Sequence, residues 1–272
     1  MDEMKKPPHI HLYDLPGVKT LAVQELADYV RDTVQGGRVE LRREFFQHHM
    51  AGQDGMADSV AEGLARCKVR DIQDPKPAFE PLPAEVDYEK RFLRQAGSKP
   101  TGILYDGVKL LHILWELIPH TERGLSHVHI VLTNQLVGTC DPSDRRYHVR
   151  VGVYGVPSVI STTGVVEGPA KPREFYLLKQ QYAAMGMDGD LLKLKDQFEG
   201  TFIDYDDERL TEVLKGYVMQ AVLYHLTGNP FCEDRHCRLY NAHWQGEMIH
   251  AQLESPYEFC QIHRRLLSDC RD

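Results

Sequence analysis

No apolar run in this sequence approaches the ~20 residues a membrane span requires. The opening MDEMKKPPHIHLYDL also lacks the apolar stretch and small-residue cleavage site of a signal peptide. No membrane partner is expected, and the cytoplasm is the expected compartment. Clustered cations are equally scarce: 32 Lys and Arg stand against 40 Asp and Glu, a net charge of -8 with a pI near 6.0. Phosphate binding needs gathered Lys and Arg, so nucleic acid is not an expected partner. Pairs such as Arg42-Arg43 and Arg264-Arg265 read as solvated surface. Internal repeats and low-complexity stretches are missing. Cysteine is sparse, six in 272 residues. Three of the six sit close to one another or to a histidine near the C-terminus, a spacing that in a cytosolic chain favours metal over disulfide. Cys67, Cys140 and Cys270 have no such neighbours, and Cys67 in VAEGLARCKV reads as a small buried apolar residue.

What is present suffices for a sizeable core, with 42% hydrophobic residues. HIHLYDL reads as a strand and TLAVQELADYVRDTV as a helix with Leu21, Leu26 and Val30 inward. RVELRREFF reads as a second strand, a β-α-β start that implies a parallel pair. A shorter helix spans Ala57 to Cys67, and the four prolines of DIQDPKPAFEPLPAEVDYEKRF predict a loop or packed linker. TGILYD is a strand, and GVKLLHILWELI spaces Val108, Leu111, Leu114, Trp115 and Ile118 as one helix face. HVHIVLTNQL, YHVRVGVYG and SVISTTGVV follow as β-rich runs, and helices dominate from Pro172 onward. In DDERLTEVLKGYVMQAVLYHLTG, Leu210, Leu214, Val218, Ala221 and His225 form the buried stripe of a long helix, with Gly228 at the left-handed cap. The expected class is α/β, with α+β as the variant: a mixed β-sheet packed by helices, one domain over 1–272, with a metal-binding subdomain at 229–272.

After that helix, NPFCEDRHCRLYNAHWQGEMIHAQLESPYEFCQIH carries a C-x4-C pair, a short helix starting near Asn241, and then C-x2-H. Soft thiolates with one imidazole suit zinc in a closed four-ligand structural site. The expected ligands are Cys232, Cys237, Cys260 and His263, with His236 as the alternative fourth. His243 and His250 are weaker candidates.

These same residues resemble the tail of the archaemetzincins, whose motif is HExxHxxGxxHC followed by further Cys pairs. His225 matches the second His, Gly228 the Gly and Cys232 the Cys, with Cys237 and Cys260 following in order and His263 replacing the last Cys. The resemblance covers roughly the last sixty-five residues. It implies a metzincin-like fold with one structural zinc, and the middle stretch YHVRVGVYGVPSVISTTGVVEGPAKP is also similar to uncharacterised metallopeptidase homologues. The departures fall on the chemistry. Ala221 stands for the first His, Val222 for the catalytic Glu and Phe231 for the third His, whereas a metallopeptidase needs three protein ligands and a carboxylate base. A second, catalytic ion is therefore not expected.

The leading expectation is a pseudoenzyme that binds a peptide or protein in the inherited cleft. The alternative is an active metal-dependent hydrolase rebuilt around His225, with His148 or His243 and the carboxylate of Glu167. A cleft with three convergent polar ligands around His225 would favour the enzyme; one lined by Val222, Phe231 and other apolar groups would favour binding. STTGVVEGPAKPREFY could form a ligand loop, with Glu167 as base, Lys171 and Arg173 holding an anion, and Ser161, Thr162 and Thr163 donating; the structural reading makes it a strand-to-helix connection. His9 with His11, and His127 with His129, each share a strand face as i, i+2 pairs, without a carboxylate nearby in sequence. His48-His49 reads as a solvated loop pair.

Overall fold

A computed structural model describes residues 8–34, 36–52, 55–73, 79–95, 102–186, 194 and 196–268. The chain begins β1 (His9–Tyr13), α1 (Val23–Thr33) and β2 (Arg38–Arg42). It continues with α2 (Phe45–His49), α3 (Met56–Arg66), α4 (Pro83–Arg94), β3 (Leu104–Asp106) and α5 (Gly107–Leu117). The β-rich middle holds β4 (His127–Thr133), β5 (Leu136–Asp141), β6 (Arg146–Arg150), β7 (Gly152–Val153) and β8 (Ser158–Ser161). Then come α6 (Thr162–Glu167), α7 (Arg173–Ala184), α8 (Leu210–Thr227), α9 (Gln245–Ile249) and α10 (Gln261–Ser268). Among the described residues no helix is long and apolar enough to cross a membrane.

Five strands form one sheet in the order β2-β1-β4-β8-β7, parallel except for β7 against β8. A second sheet, β3-β5-β6, pairs β3 parallel and β6 antiparallel to β5. The architecture is thus a mixed α/β one, with helices on both faces of the larger sheet. Strand alternation divides the core. Ile10, Leu12, Val128 and Ile130 pack with Leu26 and Val30 of α1 and Leu214 and Val218 of α8. Tyr13, Val131 and Val159 pack on the opposite face with Phe45, Leu64, Leu110 and Leu114. Each such apolar side chain contributes roughly 1.5–3 kcal/mol through burial. The first cluster also takes in Leu239, Met248, Phe259 and Leu267, so the C-terminal tail shares the core of the N-terminal strands.

Several expectations fail for local reasons. RVELRREFF is a strand only to Arg42; Glu44 then caps Gln47 N at 2.9 Å and starts α2, which buries Phe45 and Phe46. The proline-rich stretch contains α4, because Pro83 occupies the first turn, where a missing N–H costs nothing, and Glu85 accepts from Leu82 N at 2.7 Å. In α5, Leu110 and Leu114 are buried, as is Ile118 just past its end, while Val108 and Trp115 are exposed. SVISTTGVV turns helical at Thr162, where the Ser161 hydroxyl accepts from Gly164 N at 2.8 Å. Gly164 is required there: a Cβ would lie 2.3 Å from the Arg150 carbonyl oxygen. Near Asn241 the helix starts later, at Gln245, with Glu247 accepting from Trp244 N. Of the helical stretches expected from Pro172 onward, GDLLKLKDQFE falls largely outside the described residues.

Candidate metal centre and adjoining cleft

Gly228 ends α8 in the left-handed conformation (φ 76°), as its spacing predicts, and turns the chain into the loop that carries Cys232 and Cys237. That loop is closed by backbone bonds from Cys232 N to Leu239 O and from Tyr240 N to Cys237 O, both 2.9 Å. Asp234 N also lies 3.4 Å from Cys232 Sγ. The second pair is set by α10, whose first turn brings His263 back beside Cys260, with Arg264 N donating to Cys260 O at 3.0 Å.

Donor atoms of Cys232, Cys237, Cys260 and His263 all lie within 4.8 Å of one another. Cys232 Sγ is 3.9 Å from Cys260 Sγ, and His263 Nδ1 is 3.1 Å from Cys260 Sγ and 3.7 Å from Cys237 Sγ. A tetrahedral ion with zinc–sulfur bonds of ~2.3 Å and a zinc–nitrogen bond of ~2.0 Å needs donor separations of roughly 3.5–3.8 Å, so this set fits zinc. Burial pushes the Cys232 thiol up to about 12 and raises Cys237, while it lowers His263 and leaves its imidazole neutral. A bound dication reverses the thiol preference, because it stabilises thiolates directly. His236 faces elsewhere, its Nδ1 2.8 Å from His250 Nε2.

Beside this centre a cleft of about 900 Å3 opens between β6–β7, α8 and the start of the tail. His148, Glu167, His243 and Phe231 line it, as do Gln220 and Tyr224 of α8. His225 does not. Its Nε2 lies 2.7 Å from the Leu125 carbonyl, which can only accept, so that nitrogen carries a proton. Ala221 and Val222 are fully buried in the core. Tyr154, missed in the sequence, also lines the cleft: its ring meets Phe231 edge-on at 5.8 Å, and its hydroxyl donates to Gln220 Oε1. The strict alternation of YHVRVGVYG was the available signal for it. His148 Nε2 is 2.8 Å from Asp144 Oδ2, and Glu167 accepts from the Tyr205 hydroxyl at 3.1 Å. Ser161 and Thr163 donate to the backbone carbonyls of Gln135 and Asn134, both at 2.6 Å, and Lys171 Nζ donates to Val166 O at 3.1 Å. These bonds tie Ser161 and α6 to the turn between β4 and β5, and they engage the Ser161 and Thr163 hydroxyls with backbone.

The chain belongs to DUF6775, described as a probable metallopeptidase family, whose pattern matches residues 6–270. Among solved structures, archaemetzincin from Methanopyrus kandleri is similar at 13% identity, covering 99% of this chain and 97% of that chain with a TM-score of 0.45. A comparison with curated proteins finds no match.

Proposed function

We propose that this protein is a zinc-stabilised, peptide-binding member of its metallopeptidase family, whose motif-helix cleft holds an extended segment of a cytoplasmic protein partner without cutting it. Nucleic acid is not the partner in this reading, because the chain's charge is -8. One observation carries it. The cleft gathers Tyr154, Tyr224 and Phe231 around the Gln220 amide, while His225, which the rebuilt peptidase centre would need, faces the Leu125 carbonyl outside it. Aromatic faces supply contact area at low entropic cost, and amide and phenol groups pair with a peptide backbone. Zinc at Cys232, Cys237, Cys260 and His263 supplies folding energy: all four positions are filled by protein, so it has no open position for water or substrate.

The test uses reduced, carboxymethylated casein as an unfolded probe, with binding read by fluorescence anisotropy and cleavage by mass spectrometry. Binding that falls at least tenfold in Phe231→Asp and Tyr224→Asp, with the casein intact, supports the proposal. Cleavage by the wild type that disappears in a folded His225→Ala variant overturns it, as does an absence of binding.

A further inference from the structure

On the sheet face opposite α8, alternation along β1 and β4 turns His9, His11, His127 and His129 to one side. The parallel register places His9 beside His127 and His11 beside His129. The His11 and His127 rings stack at 5.2 Å with planes 7° apart, and their Nε2 and Nδ1 atoms lie 2.9 Å apart. Donor atoms of His9, His11 and His127 all come within 4.8 Å of one another.

Hydrogen bonding sets what each ring can offer. His11 Nδ1 is 3.0 Å from Glu40 Oε2; the carboxylate only accepts, so Nδ1 carries the hydrogen and the Nε2 lone pair accepts from His127 Nδ1, a hydrogen that a bound ion would replace. A carboxylate behind a histidine is the arrangement that orients metal-bound imidazoles. His129 is engaged at both nitrogens, with Nε2 donating to the Glu122 carbonyl at 2.9 Å and Nδ1 2.9 Å from the Tyr13 hydroxyl. It forms the wall of the site and is not a ligand. Glu122 is likewise committed, gripped by both Arg42 terminal nitrogens at 2.7 and 2.9 Å. Arg42 is shared with Glu40 at 3.0 Å. Arg38, paired with His9 across β1 and β2, and Arg42 stand against Glu40 and Glu122, so the charged groups around the rings balance and the donor set itself carries the preference for an ion. His9 is 28% exposed while His11 is buried, so the three rings converge at the edge of the solvent.

We propose that His9, His11 and His127, with Glu40 behind His11, form a second metal site that takes a divalent transition ion such as Zn2+. Three imidazoles suit Zn2+, Ni2+ and Cu2+ and exclude Ca2+ and Mg2+, which require oxygen ligands. Three protein ligands leave a coordination position free for water or an exogenous anion, unlike the closed Cys3His centre.

The experiment loads the untagged full chain with Zn2+, removes excess metal by desalting, and measures zinc per chain by elemental analysis. Folding of each variant is checked by circular dichroism. Two zinc per wild-type chain are expected, with one lost in His127→Ala and likewise in His9→Ala, while Cys237→Ser loses the other. Glu40→Gln is expected to weaken the histidine-held ion by about 10- to 100-fold in chelator competition. A wild type holding one zinc that both histidine variants retain overturns the proposal, as does a second zinc unmoved by His9→Ala, His127→Ala and Glu40→Gln. A single zinc lost with His127→Ala but kept in Cys237→Ser supports this site and refutes the cysteine one.

Discussion

Stripping the ion from the Cys3His centre is expected to lower the melting temperature sharply without abolishing the fold. The tail contributes Leu239, Met248, Ile249, Phe259 and Leu267 to the main core. At roughly 1.5–3 kcal/mol each, their burial holds the segment in place even when the ion is gone. What is lost is the linkage term. With free zinc about a thousandfold above its dissociation constant, the ion stabilises the native state by about 4 kcal/mol. For a chain of this size each kcal/mol moves the midpoint by about 2–4 °C, so chelation should cost about 8–16 °C. Circular-dichroism melts of the zinc-loaded, chelated and reloaded protein measure this, and Cys237→Ser separates the cysteine centre from any histidine-held ion. In the chelated state, proteolysis should cut first within 229–268. Midpoints that agree within about 2 °C, with elemental analysis confirming that zinc has left, would refute the reasoning.

Lys68 Nζ meets the fully buried Glu89 at 2.7 Å, so Lys68→Ala strands a carboxylate left, among the described residues, with the Tyr105 hydroxyl. Urea denaturation should show a loss of about 3–5 kcal/mol, largely recovered in Lys68→Met with Glu89→Leu. Gly164→Ala should destabilise by about 1–3 kcal/mol despite alanine's helix propensity, because its Cβ would strike the Arg150 carbonyl; an unchanged urea midpoint would contradict this. Hydrogen bonds from Arg42 hold the Glu122 carboxyl down to about 2. The folded value lies below the unfolded one, so this stability is full above about pH 4.5 and lost as pH falls towards 2. Glu122→Gln should flatten that limb by about 1–2 kcal/mol, allowing for the side chain's 24% exposure. Burial pushes the Cys67 thiol up to about 12, so iodoacetamide at pH 8 should label exposed Cys140 and spare Cys67 until the protein unfolds.

Much of the architecture was legible because it is locally encoded. HIHLY, RVELR and HVHIVLT announce strands by β-branched and alternating residues, and the periodicity of α8 with Gly228 past its end announces a long capped helix. Proline was misread where position outweighs propensity: Pro83 starts a helix because the first-turn N–H is dispensable. The face of α5 was misread because sequence periodicity leaves neighbouring stripes nearly equivalent, and it took the β-sheet surface to choose Leu110 over Val108. The cleft was half legible. Glu167 and His148 line it, but His225 turns to a carbonyl one hundred residues away.

The sequence by itself determined the donors of the C-terminal centre as candidates, since two short ligand pairs each place their side chains through local geometry, and it determined the absence of HExxH from the motif helix. Only the tertiary structure brought the two pairs to within bonding distance of one ion, chose His263 over His236 as the neighbour of three thiols, and turned His225 out of a cleft where Tyr154, Gln220 and Tyr224 stand beside His148, His243 and Glu167. It alone also gathered His9, His11 and His127 with Glu40, because parallel strands pair β1 with β2 about thirty positions on and with β4 more than a hundred positions on, and no local pattern specifies that register.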